Sequence, residues 1–139
     1  MVTRIEQIIK NLIDYFDCKV VGSYLFIDEG YLMLEEINDV DIMVSDLQVM
    51  KRVVSFLKDN GFEETGIFKT NFRDRYGHFS QGSLIFKSDS CELPIHLLLS
   101  KTDPPAVWEL SKIISKKWES RSESDLIQLK LIVERTKAK

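Results

Sequence analysis

The chain has 139 residues, 44% hydrophobic and 29% charged, with six glycines and three prolines, a length and balance that suit one domain with a real core and exclude a disordered or low-complexity protein. A formal charge of -3 and a pI near 5.4 remove any bulk attraction to nucleic acid or to an anionic membrane. No apolar run approaches a bilayer span, and the first residues form an amphipathic pattern without an apolar signal segment, so neither a membrane anchor nor a signal peptide is expected.

Ile5, Ile8, Ile9, Leu12, Ile13 and Phe16 recur at three-and-four spacing and predict an amphipathic helix over about residues 3–16. "DCKVVG", Asp17 to Gly22, predicts a short strand closed by glycine. Ser23 can then cap a helix through about Tyr31, disturbed by Gly30. A strand follows over about Val40–Val44, and Asp46 can cap a long helix, "LQVMKRVVSFLKDN", that stops at Gly61. Strands come next at about Glu63–Thr70, Ser83–Lys87 and Leu93–Leu99, the last two a hairpin around "SDSCE". "NFRDRYGHFSQ", Asn71 to Gln81, reads as a polar and aromatic loop or an irregular edge strand. After "DPP" come helices at about Pro105–Trp118 and Ser122–Lys137, broken at "ESRSES". Strands clustered late in this order predict an α+β fold, a mixed β-sheet with flanking helices and two C-terminal helices, in a single domain over residues 1–139.

The segment "NDVDIMV", Asn38 to Val44, carries the chemistry. Successive strand side chains point to opposite faces, so Val40, Ile42 and Val44 share one face and Asp39, Asp41 and Met43 the other. Two carboxylates on one face repel each other unless water or a cation intervenes, and hard oxygen ligands suit Mg²⁺ or Mn²⁺. Alone, D-x-D also describes an exposed strand end with two solvated aspartates.

The longer segment "VVGSYLFIDEGYLMLEEINDVDIMV" adds a strand ending in Gly22-Ser23, a helix, and then the D-x-D strand. This order resembles the nucleotidyltransferase superfamily related to DNA polymerase beta, and Asn38 matches the N-D-x-D form of several small subgroups. The resemblance implies that Gly22 lets the backbone approach a nucleotide's phosphates, that Ser23 and the following helix start help hold them, and that Asp39 and Asp41 bind the metals. Family members place a third carboxylate on a later strand. Here "CELPIHLLLS" puts His96 at that position. Glu92 lies on the same strand face, but four residues away, about 13 Å along an ideal strand. Imidazole is a poorer Mg²⁺ ligand than carboxylate and suits Mn²⁺ or Zn²⁺ better.

The resemblance therefore implies a Mg²⁺- or Mn²⁺-dependent transfer of a nucleotidyl group from an NTP to an acceptor hydroxyl. The alternative is a catalytically weak or inactive binding or regulatory module on the same fold; a third reading is a structural α+β protein whose D-x-D is incidental. The acceptor, whether protein, nucleic acid or small molecule, is left open, as is the choice of base. At this length it would be held by a partner chain, a second copy of the chain, or the C-terminal helices.

Among other candidates, Arg73, Arg75, Tyr76 and His78 could contact a phosphate and a base, or belong to a plain loop. Trp108 and Trp118 read as core or interface residues, and "RSESD", Arg121 to Asp125, receives no catalytic role. Cys18 and Cys91 lack C-x-x-C spacing and flank apolar segments, which predicts buried free thiols and a reducing, cytoplasmic setting.

Overall fold

The computed structural model describes residues 3–74, 77–100, 112–114 and 116–137. Its first element, α1 (Arg4–Tyr15), starts at Thr3, whose Oγ1 accepts from the Glu6 amide at 3.3 Å. The apolar stripe sinks Ile5, Ile8, Ile9 and Leu12 into the core, each worth roughly 2 kcal/mol of burial. Ile13, off that stripe, stays half exposed.

Strand β1 (Cys18–Val21) follows, then a 3-10 turn (Gly22–Tyr24) that runs directly into the short helix α2 (Leu25–Asp28). The predicted helix from Ser23 to Tyr31 is thus shorter, and Ser23 does not cap it. Gly22 enters the turn at φ +75°, a left-handed conformation that turns the chain one residue ahead of Ser23, so the 3-10 turn already begins at Gly22 and not after a serine cap. Fully buried Phe26 anchors it, and its carbonyl accepts from the Tyr31 and Leu32 amides, closing the helix at Gly30, where φ is +82°.

Strand β2 (Val40–Val44) and helix α3 (Leu47–Asp59) stand where the sequence places them. The Asp46 carboxylate caps α3 by accepting from the Gln48 amide at 2.6 Å, and Gly61 lies just beyond its end at φ +87°. Phe16 and Phe56 meet at 5.3 Å between ring centroids, joining the ends of α1 and α3.

Strands β3 (Glu63–Asp74), β4 (Gly77–Ser88) and β5 (Cys91–Leu99) complete the sheet. Of the two expectations for residues 71–81, a loop or an irregular edge strand, the structure takes the strand: residues 71–74 lie on the edge strand β3 and pair regularly with 77–80 of β4, to the Asp74↔Gly77 pair. A two-stranded ribbon supplies its own backbone partners, so polar composition does not prevent pairing. The expected hairpin between β4 and β5 is present, with Ser88 opposite Cys91.

The sheet order is β1-β2-β5-β4-β3. β2 and β5 run parallel, while the other neighbours are antiparallel. This is the mixed sheet with flanking helices expected of an α+β fold. Val40, Ile42, Val44, Phe86, Ile95 and Leu97 form one core with the apolar sides of α1 and α3 and with Leu129. On the opposite face Val21, Met43 and Leu98 form a small second cluster. Pro94 in a central strand falls at the β4–β5 register shift, one position before β2 begins to pair, so its missing N–H leaves the ladder intact.

The last element is α4 (Glu123–Lys137). Ser122 and Asp125 cap it reciprocally: the Asp125 amide donates to Ser122 Oγ at 3.1 Å, and the Ser122 amide donates to Asp125 Oδ2 at 3.0 Å. Lys116 Nζ reaches the same carboxylate at 2.6 Å. Residues 112–114 are helical, but the first predicted C-terminal helix ends before Trp118, which belongs to a separate 3-10 turn (Trp118–Ser120). Trp118 is 59% exposed, so it is no core residue. Trp108, the "DPP" helix start, Arg75 and Tyr76 lie outside the described residues, as do the side chains of Arg73 and His78. Among the described residues no helix is long and apolar enough to cross a membrane. Cys18 and Cys91 are free, half-buried thiols. Burial, with Asp17 adding to it, pushes Cys18 up to about 11.

Arg121 is the residue whose role the sequence hid. Its guanidinium is 2% exposed and donates to the Ile113 carbonyl (3.1 Å), the Ile114 carbonyl (3.0 Å), Tyr31 Oη (3.3 Å) and Glu29 Oε1 (2.9 Å). It also lies 5.3 Å from the Trp118 ring centroid. It ties the segment after α2 to the C-terminal region. Arg121→Ala strands a half-buried carboxylate and two carbonyls and should cost about 3 kcal/mol, read as a lower urea midpoint with unchanged slope. A loss below about 0.5 kcal/mol, the range of ordinary surface substitutions, would show that the network contributes little.

Candidate metal centre

Two chain segments bring three residues together on the sheet face opposite the main core. Asp39 stands one residue before β2, Asp41 is the second residue of that strand, and His96 lies on β5. The parallel register pairs Asp41 with His96, and the antiparallel register on its other side pairs Asp41 with Val21, the residue before Gly22. Alternation carries Val40, Ile42 and Val44 into the core and leaves both carboxylates on the other face, as the sequence predicts.

His96 Nδ1 is 4.0 Å from Asp39 Oδ2 and 3.8 Å from Asp41 Oδ1. One ligand atom from each of the three residues lies within 4.8 Å of the others. A cation held at about 2.2 Å from each atom needs its ligands roughly 3–3.6 Å apart. Small side-chain rotations close that difference, so the trio can hold a metal ion. The imidazole is 7% exposed, whereas the two carboxylates keep about a third of their side-chain surface or less, at 28% and 34%. An ion would therefore be gripped from below by a buried nitrogen and remain open to solvent on the carboxylate side.

Burial lowers the His96 pKa below the ordinary imidazole value; nearby Asp39 pulls it up, and the Lys87 ammonium adds to the lowering. The net direction favours neutral imidazole, the form that ligates metal.

Gly22 also lies against the aspartate pair, at Asp41. A Cβ at this position would stand 2.5 Å from Asp41 Oδ2, and φ is +75°. Glycine is needed here because the backbone lies against the Asp41 carboxylate. Ser23, half-buried, follows in the same turn, which packs on β2. Gly22 and the D-x-D pair are thus brought together. Glu92 is not: it is exposed near the start of β5, outside the trio, and lines a groove with Glu63, Lys87 and Pro94.

Comparison with protein families, with curated proteins and with solved structures finds no match for this chain.

Two outcomes follow from this geometry. Gly22→Ala must relieve both a clash with Asp41 and an unfavourable φ, so it should destabilise the fold by about 1–3 kcal/mol and weaken divalent-ion binding at least tenfold. A variant that keeps wild-type stability and metal affinity would show that Asp41 does not depend on Gly22. For His96, a folded pKa below the usual 6.5 means that the unfolded chain takes up the proton first as pH falls. Its stabilising contribution is complete above about pH 6.5 and declines below it as pH falls toward the folded value. NMR titration of metal-free protein should place the imidazole midpoint below 6.5, and a midpoint above 7 would mean that the carboxylates outweigh burial.

Proposed function

We propose that this protein is a minimal nucleotidyltransferase of the DNA polymerase beta-like type, using Mg²⁺ or Mn²⁺ to transfer a nucleotidyl group from an NTP to an acceptor hydroxyl. The observation that carries the reading is the convergence of Asp39, Asp41 and His96 beside a Gly22-Ser23 turn that leans on Asp41. A helix-entering glycine turn beside two adjacent carboxylates is the arrangement that the sequence resemblance implies.

Asp39 and Asp41 would be the anionic metal ligands, with neutral His96 as the third donor. The Gly22–Tyr24 turn would present backbone amides and the Ser23 hydroxyl to the phosphates. When bound, a divalent ion supplies Lewis acidity that favours loss of the acceptor proton and neutralises charge on the leaving pyrophosphate. The acceptor oxygen would form a bond to the α-phosphorus as the α–β bridging P–O bond breaks, and the acceptor proton would pass to solvent or a basic group. The acceptor, a protein, nucleic acid or small molecule, would be held by a partner chain, a second copy of this chain, or the C-terminal helices.

One observation favours a second reading, a binding or regulatory module with little turnover. The third donor is an imidazole, so the site has two negative charges where family members have three. Metal occupancy and activation of the hydroxyl both weaken with that charge.

Calorimetry with Mn²⁺ tests the metal site. Asp39→Asn and Asp41→Asn should each weaken binding by about a hundredfold or more while leaving the circular dichroism spectrum unchanged, in line with the loss of a direct charged ligand. Unchanged affinity in both variants would remove the site. For turnover, His96→Asp should raise Mg²⁺-dependent transfer, and Glu92→Gln should leave it unchanged. Activity abolished by Glu92→Gln would reassign the third ligand to Glu92.

A further inference from the structure

The sheet face that carries the trio continues beyond it onto β4. His96 pairs with Ile85, and Lys87 lies two residues further along β4 on that same face, with buried Phe86 between them pointing into the core. Lys87 is therefore a diagonal neighbour of His96, at about 7–8 Å between backbones, within reach of a lysine side chain. Its charge is close enough to act on the imidazole. Asp39, one residue before the Val40–Ile95 pair, and Lys87, one residue after the Phe86–Ile95 pair, flank β5 near Pro94, where the β4–β5 register shifts.

Lys87 also lines a groove of about 410 Å³ whose walls include Glu63, Asp89, Glu92 and Pro94. It is the one cation among the groove's described lining residues. The ladder sets Glu63 directly opposite it, yet no ion pair joins Lys87 to Glu63 or Glu92 among the described residues. A side chain serving only as a cross-strand partner would be expected to make that pair.

The charge arrangement shows what could use the lysine. Two carboxylates and a divalent ion sum to zero when His96 is neutral. Lys87 is then the positive charge next to the neutralised trio, with acidic Glu63, Asp89 and Glu92 lining the groove beyond it. An anion is attracted as far as Lys87 and repelled past it.

We propose that Lys87 is a phosphate-binding residue of the metal site, so that a phosphate-bearing ligand spans from the Asp39–Asp41–His96 trio across Pro94 to the Lys87 ammonium. The inference rests on the metal site proposed above and adds a contact on the β4 side, opposite the Gly22-Ser23 turn. Lysine serves here as a point charge that donates charge-assisted hydrogen bonds to phosphate oxygens.

Opposite signs for metal and phosphate make the test specific. The full chain and its Lys87→Met and Lys87→Arg variants are titrated by calorimetry with Mn²⁺ alone, with preformed Mn²⁺–ATP and with Mn²⁺–tripolyphosphate. Removing the ammonium should leave Mn²⁺ affinity unchanged or a few-fold tighter, because a nearby like charge is gone. Both phosphate complexes should bind about tenfold more weakly to Lys87→Met, the loss of one charge-assisted contact. Lys87→Arg should retain wild-type affinity. The inference is overturned if Lys87→Met binds both complexes like wild type, if it loses Mn²⁺ and Mn²⁺–ATP in equal proportion, or if only the ATP complex weakens. Wild-type protein that takes up Mn²⁺ but neither phosphate complex would overturn the inference and leave the metal site standing. No Mn²⁺ uptake at all would remove both.

Discussion

The parallel pairing of β2 with β5 is the constraint on which the site depends. It sets Asp41 beside His96 while the neighbouring pairs, Val40 with Ile95 and Ile42 with Leu97, turn into the core. A slip of one residue in either strand would exchange these sets, sending a carboxylate or an imidazole into the apolar layer and two aliphatic side chains out of it. Burial of Val40, Ile42, Ile95 and Leu97 thus enforces the register that brings the ligands together. Hydrophobic packing on one face places polar chemistry on the other.

That chemistry is poised between two costs. Carboxylates on one strand face repel, and burial of the imidazole beside them disfavours its charged form more than Asp39 favours it. A protonated His96 would answer the two negative charges, but burial and Lys87 work against it. A divalent cation answers them without asking the histidine to ionise. The Gly22 backbone contact limits another way of relieving the repulsion, because Asp41 cannot swing toward β1 without meeting the turn.

The parts of the fold written in local periodicity were legible in the sequence. Helices α1 and α3, strand β2 and the Asp46 cap follow from residue spacing alone, and the two aspartates declare themselves by sharing a strand face. His96 was reached through its place in a resemblance. The parts that depend on distant partners were not legible. Lys87 comes beside His96 only through the β4–β5 register, and Gly22 meets Asp41 only because β1 and β2 pair. The ribbon at residues 71–74 and 77–81 read as either a loop or an irregular edge strand because its polar sequence shows no apolar alternation, although two such strands can satisfy each other's backbone. Arg121 received no role from the sequence, since arginine is rarely buried unless paired, and its partners Glu29 and Tyr31 lie some ninety residues earlier.

The same pairing explains how the three ligands can differ in freedom. Asp41 is held by ladders on both sides, to Val21 and to His96, and its carboxylate rests against Gly22. His96 is fixed by its own ladders to β2 and β4 and by burial. Asp39 precedes the strand, so its backbone lies outside the ladder pairs that bind the other two. Two ligands are therefore set by the sheet and one is adjustable. The spread of the donor atoms, up to 4.8 Å, exceeds what a bound ion tolerates. Closure then falls to Asp39, the ligand whose movement disturbs neither the sheet nor the core, and the rigid pair can stay in register whether or not an ion is bound.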